Sequence, residues 1–358
     1  MPEFGRLAEA FLKEHMECKM IWEDQDTWNE LVAEAGVAQI QYKAFNLKFQ
    51  EMVCRGRNES YKDISVVLYR GGHAVGVWPL CIWREEGHIY CGSAGDAPRG
   101  GIIPPLLTRM SKAEAKRKVY DKCITVLSSF LKESGGTKLR FCETVMESGV
   151  SLWHRKLMEN GAKCVCVTHH LYTDLALSMD EILGKIRRTN KYSISMEQQD
   201  YSIELYEKGD ENISEAMQAF RKMHIEVAGR ETRSIETWNM QEESIRNSTD
   251  CTGYSFLILI RDRQTDQLAG SALFDATPSC AYYCAAVYDR SRFSKPVGHI
   301  VQAVAMKRLK EYGVRWYEVG ERTYASDEDA NEKLMNIGHY KEGFATHCFP
   351  RIYTELKL

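Results

Sequence analysis

The chain has 358 residues with a formal net charge of −3, and it contains 44 % apolar and 27 % charged residues. This length predicts about two domains. The composition is that of a folded globular protein, which excludes a disordered chain and a strongly basic nucleic-acid binder. The longest apolar runs, such as residues 281–288, are far shorter than the roughly 20 residues of a membrane helix. Residues 1–15 lack the apolar core of a secretory signal, so we expect a cytoplasmic protein without a membrane span.

The twelve cysteines are scattered, several of them inside apolar strand-like runs, and none forms a C-x-x-C pair. This pattern favours reduced thiols that pack as small hydrophobic residues. Cys164 and Cys166, close to His169 and His170, give a disfavoured alternative, a metal site. We predict no metal.

The first half of the chain predicts alternating strands and helices. A capping-box pattern at residues 27–30 predicts the start of a helix. Two β-branched runs, residues 64–70 and 74–83, flank two glycines and predict a hairpin. The segments that follow predict a strand at 88–93, a helix at 111–133, a strand at 138–142, a helix at 151–159 and a long strand at 163–175.

The same order largely returns in the second half. The segments there predict a hairpin of residues 254–261 and 268–277, strands at 280–288, 315–319 and from 345 onward, and helices at 297–312 and 329–340. Gly76 and Gly270 each fall in the second strand of a hairpin, and a Lys-Leu-Met triplet precedes both Gly161 and Gly338 by three residues. We therefore predict an α/β protein built of two similar modules, each a mixed sheet flanked by helices.

Residues 178–238 separate the two repeated parts. They are predicted to be mostly helical, in segments 179–188, 191–198 and 212–228. We expect this helical insertion to have no counterpart in the first half and to serve substrate or partner contact. The predicted division is residues 1–165 for the first module and 166–358 for the second, which includes the insertion.

Three stretches together resemble the tandem GNAT-fold proteins of the Fem peptidyltransferase type and their acetyltransferase-like relatives. The sharpest is 333-KLMNIGHYKEGFA-345, which is similar to the closing signature of that family. The basic segment 186-IRRTNKYSI-194 and the stretch 281–320 add to the match. The resemblance implies two GNAT-like modules and transfer of an acyl group to an amine, the Fem donor being an aminoacyl-tRNA.

The loop before the helix at 297–312 bears on the choice of donor. GNAT enzymes hold the CoA pyrophosphate on a loop of the form Arg/Gln-x-x-Gly-x-Gly/Ala at a helix N-terminus. Here the segment reads 295-KPVGHI-300, so His299 and Ile300 follow Gly298 where small residues are expected. This departure weakens the case for acetyl-CoA. We expect no cofactor, with acyl-CoA or aminoacyl-tRNA as co-substrate.

Acyl transfer needs a cation for the developing oxyanion and a group that accepts the amine proton. Through the family match, Lys341 is the leading cation, with Tyr340 packing against the donor; the alternative is a helix-end lysine offsetting the dipole. Glu318 could orient or deprotonate the amine, or pair with Arg315 or Arg322. Four basic residues occur within residues 185–191, and three of them are predicted to bind phosphate on tRNA or a nucleotide-linked acceptor: Arg187, Arg188 and Lys191.

The segment 224–238 supplies the candidates for the acceptor side. Two arginines and a tryptophan, Arg230, Arg233 and Trp238, could hold a carboxylate or phosphate and stack on a ring. The alternative is a set of surface salt bridges to nearby glutamates. His224 is a candidate proton acceptor, and Tyr283 and His299 complete the predicted substrate-binding residues.

We therefore predict a Fem-like N-acyltransferase that passes an aminoacyl or acyl group to a small amine acceptor, with tRNA as a candidate partner. One alternative is a CoA-dependent GNAT enzyme of surface-sugar or natural-product biosynthesis. The other is a non-catalytic GNAT-fold binding protein. The sequence selects no acceptor and no oligomeric state.

Overall fold

A computed structural model describes residues 2–94, 100–186, 200–291, 293 and 297–358. The chain divides into two compact units, residues 1–168 with 349–358, and residues 169–348. The predicted division into 1–165 and 166–358 differs from this at the C-terminus. Residues 349–358 belong to the first unit because their strand pairs there with residues 138–144.

The first unit is a mixed α/β structure. Its helices are α1 (Pro2–Lys13), α2 (Gln25–Ala33), α3 (Ala44–Arg55), α4 (Ala113–Glu133) and α5 (Leu152–Glu159). Its strands are β1 (Glu17–Met20), β2 (Lys62–Asp63), β3 (Val66–Arg70), β4 (His73–Trp78), β5 (Cys81–Glu85), β6 (His88–Gly92) and β7 (Lys138–Thr144), with the start of β8 (Lys163–Asp174). One sheet has the order β1-β3-β4 and another the order β2-β5-β6.

The second unit begins within β8. Its helices are α6 (Met179–Lys185), α7 (Ile213–Ala228), α8 (Ile235–Arg246), α9 (Val297–Glu311) and α10 (Glu332–Glu342). Its strands are β9 (Tyr201–Tyr206), β10 (Ser255–Asp262), β11 (Leu268–Ala276), β12 (Cys280–Tyr288), β13 (Trp316–Glu321) and the start of β14 (His347–Lys357). Its sheet has the order β9-β10-β11-β12-β13-β8, antiparallel except for the pair β12–β13.

The predicted α/β fold of two GNAT-like modules is confirmed, and three details differ. The run predicted as one strand at 74–83 is split into β4 and β5, which join different sheets on either side of Pro79, a residue that cannot donate to a strand ladder. The segment 178–238 contains α6, α7 and the start of α8, but also β9, which pairs with β10.

The third difference concerns the repeat. A strand and two helices, β1, α2 and α3, precede the first hairpin just as β9, α7 and α8 precede the second. The expectation that the insertion has no counterpart was therefore wrong. The Lys-Leu-Met echo also fails, because Gly161 follows α5 with φ +85° whereas Gly338 lies inside α10, packed against Thr323.

The sheet of the second unit is covered on both faces. One face packs on α9 through Phe256, Phe274 and Met306, and the other on α7 and α8 through Phe220, Trp238 and Leu273. Regular alternation would place Tyr283 and Val287 on one face, but the register shift between Tyr283 and Ala285 changes the alternation, so β12 contributes Tyr283 to the α9 face and Val287 to the other. A site on β12 can thus be built from either face.

All twelve cysteines lie in the described residues, and none of them forms a disulfide. Cys81, Cys91, Cys142 and Cys280 are buried as predicted for core thiols, whereas Cys164 is exposed. Among the described residues no group of three or more His, Cys, Asp or Glu side chains is arranged to hold a metal ion. None of the helices that the structure describes combines the length and apolarity needed to cross a bilayer.

Candidate functional site

Two parallel strands of the second unit part in the middle of its sheet. β12 and β13 pair at Cys280–Trp316, Ala281–Tyr317 and Tyr282–Glu318, and no further pair is formed although both strands continue. Both strands are irregular near this point. β12 shifts its register with β11 between Tyr283 and Ala285, leaving Cys284 as an extra residue, and β13 shifts against β8 at Val319. Such bulges bend strands and redirect side chains. They open the sheet beyond Tyr282 and Glu318.

Lys341 lies beside this opening. It comes from the last turn of α10, and its side chain runs across Gly320, where a Cβ would collide with the ammonium. Gly320 has φ +133°, a conformation that favours glycine. Burial lowers the pKa of Lys341, while the carboxylates of Glu318 and Glu321 oppose that shift and favour the charged form. Among the described residues no carboxylate lies within 4 Å of this ammonium, so Lys341 is available to a reacting group.

Glu318 is 3 % exposed and is held from β8. Its Oε2 accepts a hydrogen bond of 2.8 Å from the Tyr172 hydroxyl, and its Oε1 lies 2.7 Å from His170 Nδ1. Arg322, one of the suggested partners, instead donates to Glu342 at 3.2 Å. Both oxygens of Glu318 are engaged, so its clearest contribution is a negative potential that favours the charged form of Lys341.

Aromatic hydroxyls line the α9 side of the opening. The Tyr283 and Tyr288 hydroxyls are 2.7 Å apart, and Lys341 Nζ lies 6.0 Å from the centre of the Tyr283 ring. Tyr340 stacks on His299 with ring centroids 5.7 Å apart. Its hydroxyl is buried and has no hydrogen-bond partner among the described residues. Four predicted residues, Lys341, Tyr340, Tyr283 and His299, are therefore brought together.

The first turn of α9 is covered by protein side chains. A Cβ at position 298 would lie 2.5 Å from the Tyr340 hydroxyl and 3.2 Å from the Tyr288 ring. A side chain at position 298 would therefore collide with these two tyrosines, which explains the glycine at this position without a phosphate.

A second predicted group lies on the other face of the sheet, around the loop between α7 and α8. The guanidinium carbon of Arg233 lies 3.8 Å from the centre of the Trp238 ring, and His224 contacts the same ring edge-on with centroids 5.4 Å apart. Burial, and then the charge of Arg233, lower the pKa of His224, so its imidazole is neutral at neutral pH. Arg230 is exposed. The three predicted phosphate ligands, Arg187, Arg188 and Lys191, lie outside the described residues.

The sequence reasoning missed several residues of the site. Gln302, completely buried on α9, accepts a 2.6 Å hydrogen bond from the Tyr317 hydroxyl. Tyr172 and His170 hold Glu318 from β8. A polar residue within the apolar stripe of α9 is the signal that could have found Gln302. Nothing in the sequence marks the pairing of β8 with β13 that brings Tyr172 to Glu318.

The first unit has a cavity of about 400 Å³. Its walls include Tyr42, Leu106, Tyr120 and Trp153, and Glu143 lies among them near the end of β7. Burial raises the pKa of Glu143 to about 7, against a smaller lowering by hydrogen bonds from Ser151. None of these residues was predicted to be functional.

No model of a known protein family and no curated protein matches the sequence. Solved structures do match over nearly the whole chain. The crystal structure of FemX is 14 % identical, with a TM-score of 0.68 over 96 % of this chain and 97 % of that one. The C-terminal domain of a putative lysylphosphatidylglycerol synthetase from Agrobacterium fabrum is 10 % identical, with a TM-score of 0.58 over 93 % and 92 %.

A third structure, L-PGS from Bacillus licheniformis, is also 10 % identical, with a TM-score of 0.58 over 92 % of this chain and 91 % of that one. At these identities the similarity establishes the fold. It agrees with the closing signature at residues 333–345, which predicted the same fold from the sequence. The chain therefore has the Fem-type fold of two GNAT-like units.

Proposed function

We propose that the protein is an N-acyltransferase that passes an aminoacyl group from aminoacyl-tRNA to a small amine acceptor. The observation that carries the proposal is the Lys341 ammonium, which makes no ion pair among the described residues and lies over Gly320 where β12 and β13 part. A charged donor beside a strand opening in a partly water-excluded site can stabilise the oxyanion that forms as an amine attacks an ester carbonyl.

The reaction balances without a metal or redox partner. The amine nitrogen forms a bond to the carbonyl carbon, the ester C–O bond breaks, and the tRNA ribose hydroxyl leaves with a proton that originates from the amine. The predicted proton acceptor His224, neutral at neutral pH, packs on Trp238 on the other face of the sheet, so we assign the amine proton to solvent water. Glu318 acts as a positioning residue for the charge on Lys341.

Two observations support aminoacyl-tRNA over acyl-CoA as donor. His299 and Ile300 follow Gly298 where a CoA-binding loop has small residues, and the glycine itself is explained by Tyr340 and Tyr288, which pack against it. The similar structures with TM-scores above 0.5 include FemX and a putative lysylphosphatidylglycerol synthetase, and the first belongs to the protein type whose donor is aminoacyl-tRNA. Charged tRNA is a cytoplasmic substrate, which agrees with the predicted location.

The test is transfer of a labelled amino acid from charged tRNA to a panel of amines, with acetyl-CoA as the competing donor. Lys341→Met preserves most of the side-chain length and removes the charge, so we expect turnover to fall about a hundredfold. Lys307→Met is the matched control, because Lys307 is an exposed residue of α9. Lys310 is unsuitable as a control, since its ammonium donates to the carbonyls of Leu175 and Leu177.

Equal turnover of both variants would reduce Lys341 to a helix-end charge and remove the central support for the proposal. Transfer from acetyl-CoA alone would favour the CoA-dependent alternative. Binding of an amine or tRNA without any transfer would favour the non-catalytic one.

A further inference from the structure

Arg233 is in an environment that is unfavourable for an unpaired cation. Its Nη2 is buried and makes no hydrogen bond, and among the described residues no carboxylate lies within 4 Å of its guanidinium. Burial lowers the pKa of Arg233 to about 10, which still leaves it charged at neutral pH. A buried charge without a partner is costly and calls for a compensating anion.

The acidic residues nearest in sequence do not supply that anion. Glu231 pairs with Arg221, and Glu236 accepts a hydrogen bond from Ser234. The salt-bridged surface loop considered as an alternative from the sequence is therefore wrong for Arg233. Within the described residues no glutamate or aspartate pairs with this guanidinium, so an anion bound from outside the protein can serve as its partner.

A second donor adjoins the first. The indole Nε1–H of Trp238 is buried without a partner, and Trp238 is the ring on which Arg233 stacks at 3.8 Å. A carboxylate, which carries two acceptor oxygens and no donor, can accept from both groups. Arg221 is already neutralised by Glu231, and His224 is neutral, so the site offers one net positive charge. A stacked guanidinium presents an in-plane edge that matches a planar monoanion better than a dianion.

We propose that Arg233 and Trp238 bind a carboxylate carried by the amine acceptor, so that the acceptor is an amino acid or another aminocarboxylate. The proposal deepens and rests on the acyl-transfer function. Arg233 lies near Cys284, the extra residue of β12 at the level where the sheet opens. A carboxylate held there would fix one end of an acceptor whose amine points to the gap between β12 and β13.

The test uses binding alone, so its result is separable from that of the acyl-transfer assay. The protein is labelled with ¹⁵N-tryptophan, and its indole signals are followed while glycine, N-acetylglycine, glycine ethyl ester or inorganic phosphate is added. Trp238→Phe assigns the signal of Trp238. We expect saturable shifts of that signal with glycine and N-acetylglycine, and none with the ester, which has no carboxylate.

Arg233→Gln should weaken carboxylate binding at least about tenfold, because it removes the charged donor of the site. Arg233→Lys should recover only part of it, since a lysine cannot form the planar edge. Lys222→Gln makes the same charge change at an exposed position of α7 and should bind like the wild type. Response to phosphate but not to carboxylates, or equal carboxylate binding by Arg233→Gln and the wild type, would overturn the proposal.

Discussion

The two units share an order of secondary-structure elements, but the glycine in the second strand of each hairpin has different neighbours. In each, a strand and two helices lead into a hairpin whose second strand carries a glycine beside a register shift, Gly76 opposite Leu68 and Gly270 opposite Ile260. A Cβ at Gly76 would collide with the backbone of Leu106, which lines the cavity of the first unit. A Cβ at Gly270 would meet the ring of Tyr288, part of the candidate site.

The two units therefore share a backbone arrangement but differ in the side chains placed on it. The same bulged hairpin brings main-chain atoms against Gly76 in one unit and the ring of Tyr288 against Gly270 in the other. The lysines in the last turns of α5 and α10 also differ in their surroundings. Lys156 of α5 binds Asp121 and Glu159 at 2.9 and 2.8 Å, whereas Lys341 of α10 makes no ion pair within the described chain. Three predictions can sharpen or break this contrast.

The largest effect is expected at Gly76. Gly76→Ala should lower the free energy of unfolding by about 3 kcal/mol, because the new methyl group meets main-chain atoms that cannot rotate away. Gly270→Ala should cost less, about 2 kcal/mol, since the new methyl group meets the Tyr288 side chain and not main-chain atoms, although that ring is held by Gly298 and Tyr283. Urea unfolding followed by tryptophan fluorescence measures both. Gly5→Ala, in α1 with open space around it, is the control; equal losses at 76 and 270 would contradict the distinction.

An intermediate effect is expected at Glu143. Its pKa is raised from 4.5 to about 7 in the folded unit, so the folded state binds more protons than the unfolded state between these values. Stability should therefore fall as the pH rises from about 5 to 8. Glu143→Gln should remove that loss, giving an advantage on the order of 2 kcal/mol at pH 8 and almost none at pH 4.

Unfolding in urea at pH 4, 6 and 8 measures the effect of Glu143→Gln. Asp63, buried and with its pKa raised to about 6, contributes in the same direction in both proteins and cancels from the difference. A difference between wild type and variant that does not change with pH would show that the carboxyl is not protonated in the folded state.

The smallest effect is expected at Lys156. Its two ion pairs lie at the surface, where salt screens them, so Lys156→Met should lower the melting temperature slightly at low salt and less at high salt. Turnover should stay within about twofold of the wild type, because a surface substitution leaves the reacting groups in place. A loss of turnover comparable to that of Lys341→Met would erase the proposed difference between the two lysines.

Much of the fold could be predicted because periodicity and turn residues are local signals. The hairpin of β10 and β11 and the helices α4 and α9 lie close to their predicted ranges. The strand β9 was not predicted, because Tyr201–Tyr206 is short and contains polar residues. Its pairing with β10 is a contact between distant parts of the chain. The end of β4 was missed at Pro79, where a single proline separates two strands of one apolar run.

The candidate site was predictable only in part, because local sequence patterns do not reveal contacts between distant parts of the chain. The closing signature pointed to Lys341 and Tyr340, and an Arg-rich loop beside a tryptophan pointed to Arg233 and Trp238. The partners of these residues are set by strand order and by which face a side chain takes. His170 and Tyr172 reach Glu318 from a strand about 150 residues away in sequence, which no local pattern indicates.

The first unit is built from two separate segments of the chain, and this affects how it folds during translation. Residues 349–358 supply the strand that pairs with β7, yet residues 169–348 are synthesised between them and the rest of that unit. The edge of β7 that pairs with this strand therefore stays unpaired until the whole second unit has been synthesised. Pairs so distant in sequence close slowly, and an unpaired edge is prone to wrong association in the meantime. The second unit, which is continuous in sequence, can complete its own sheet first and so sets the order in which the chain matures.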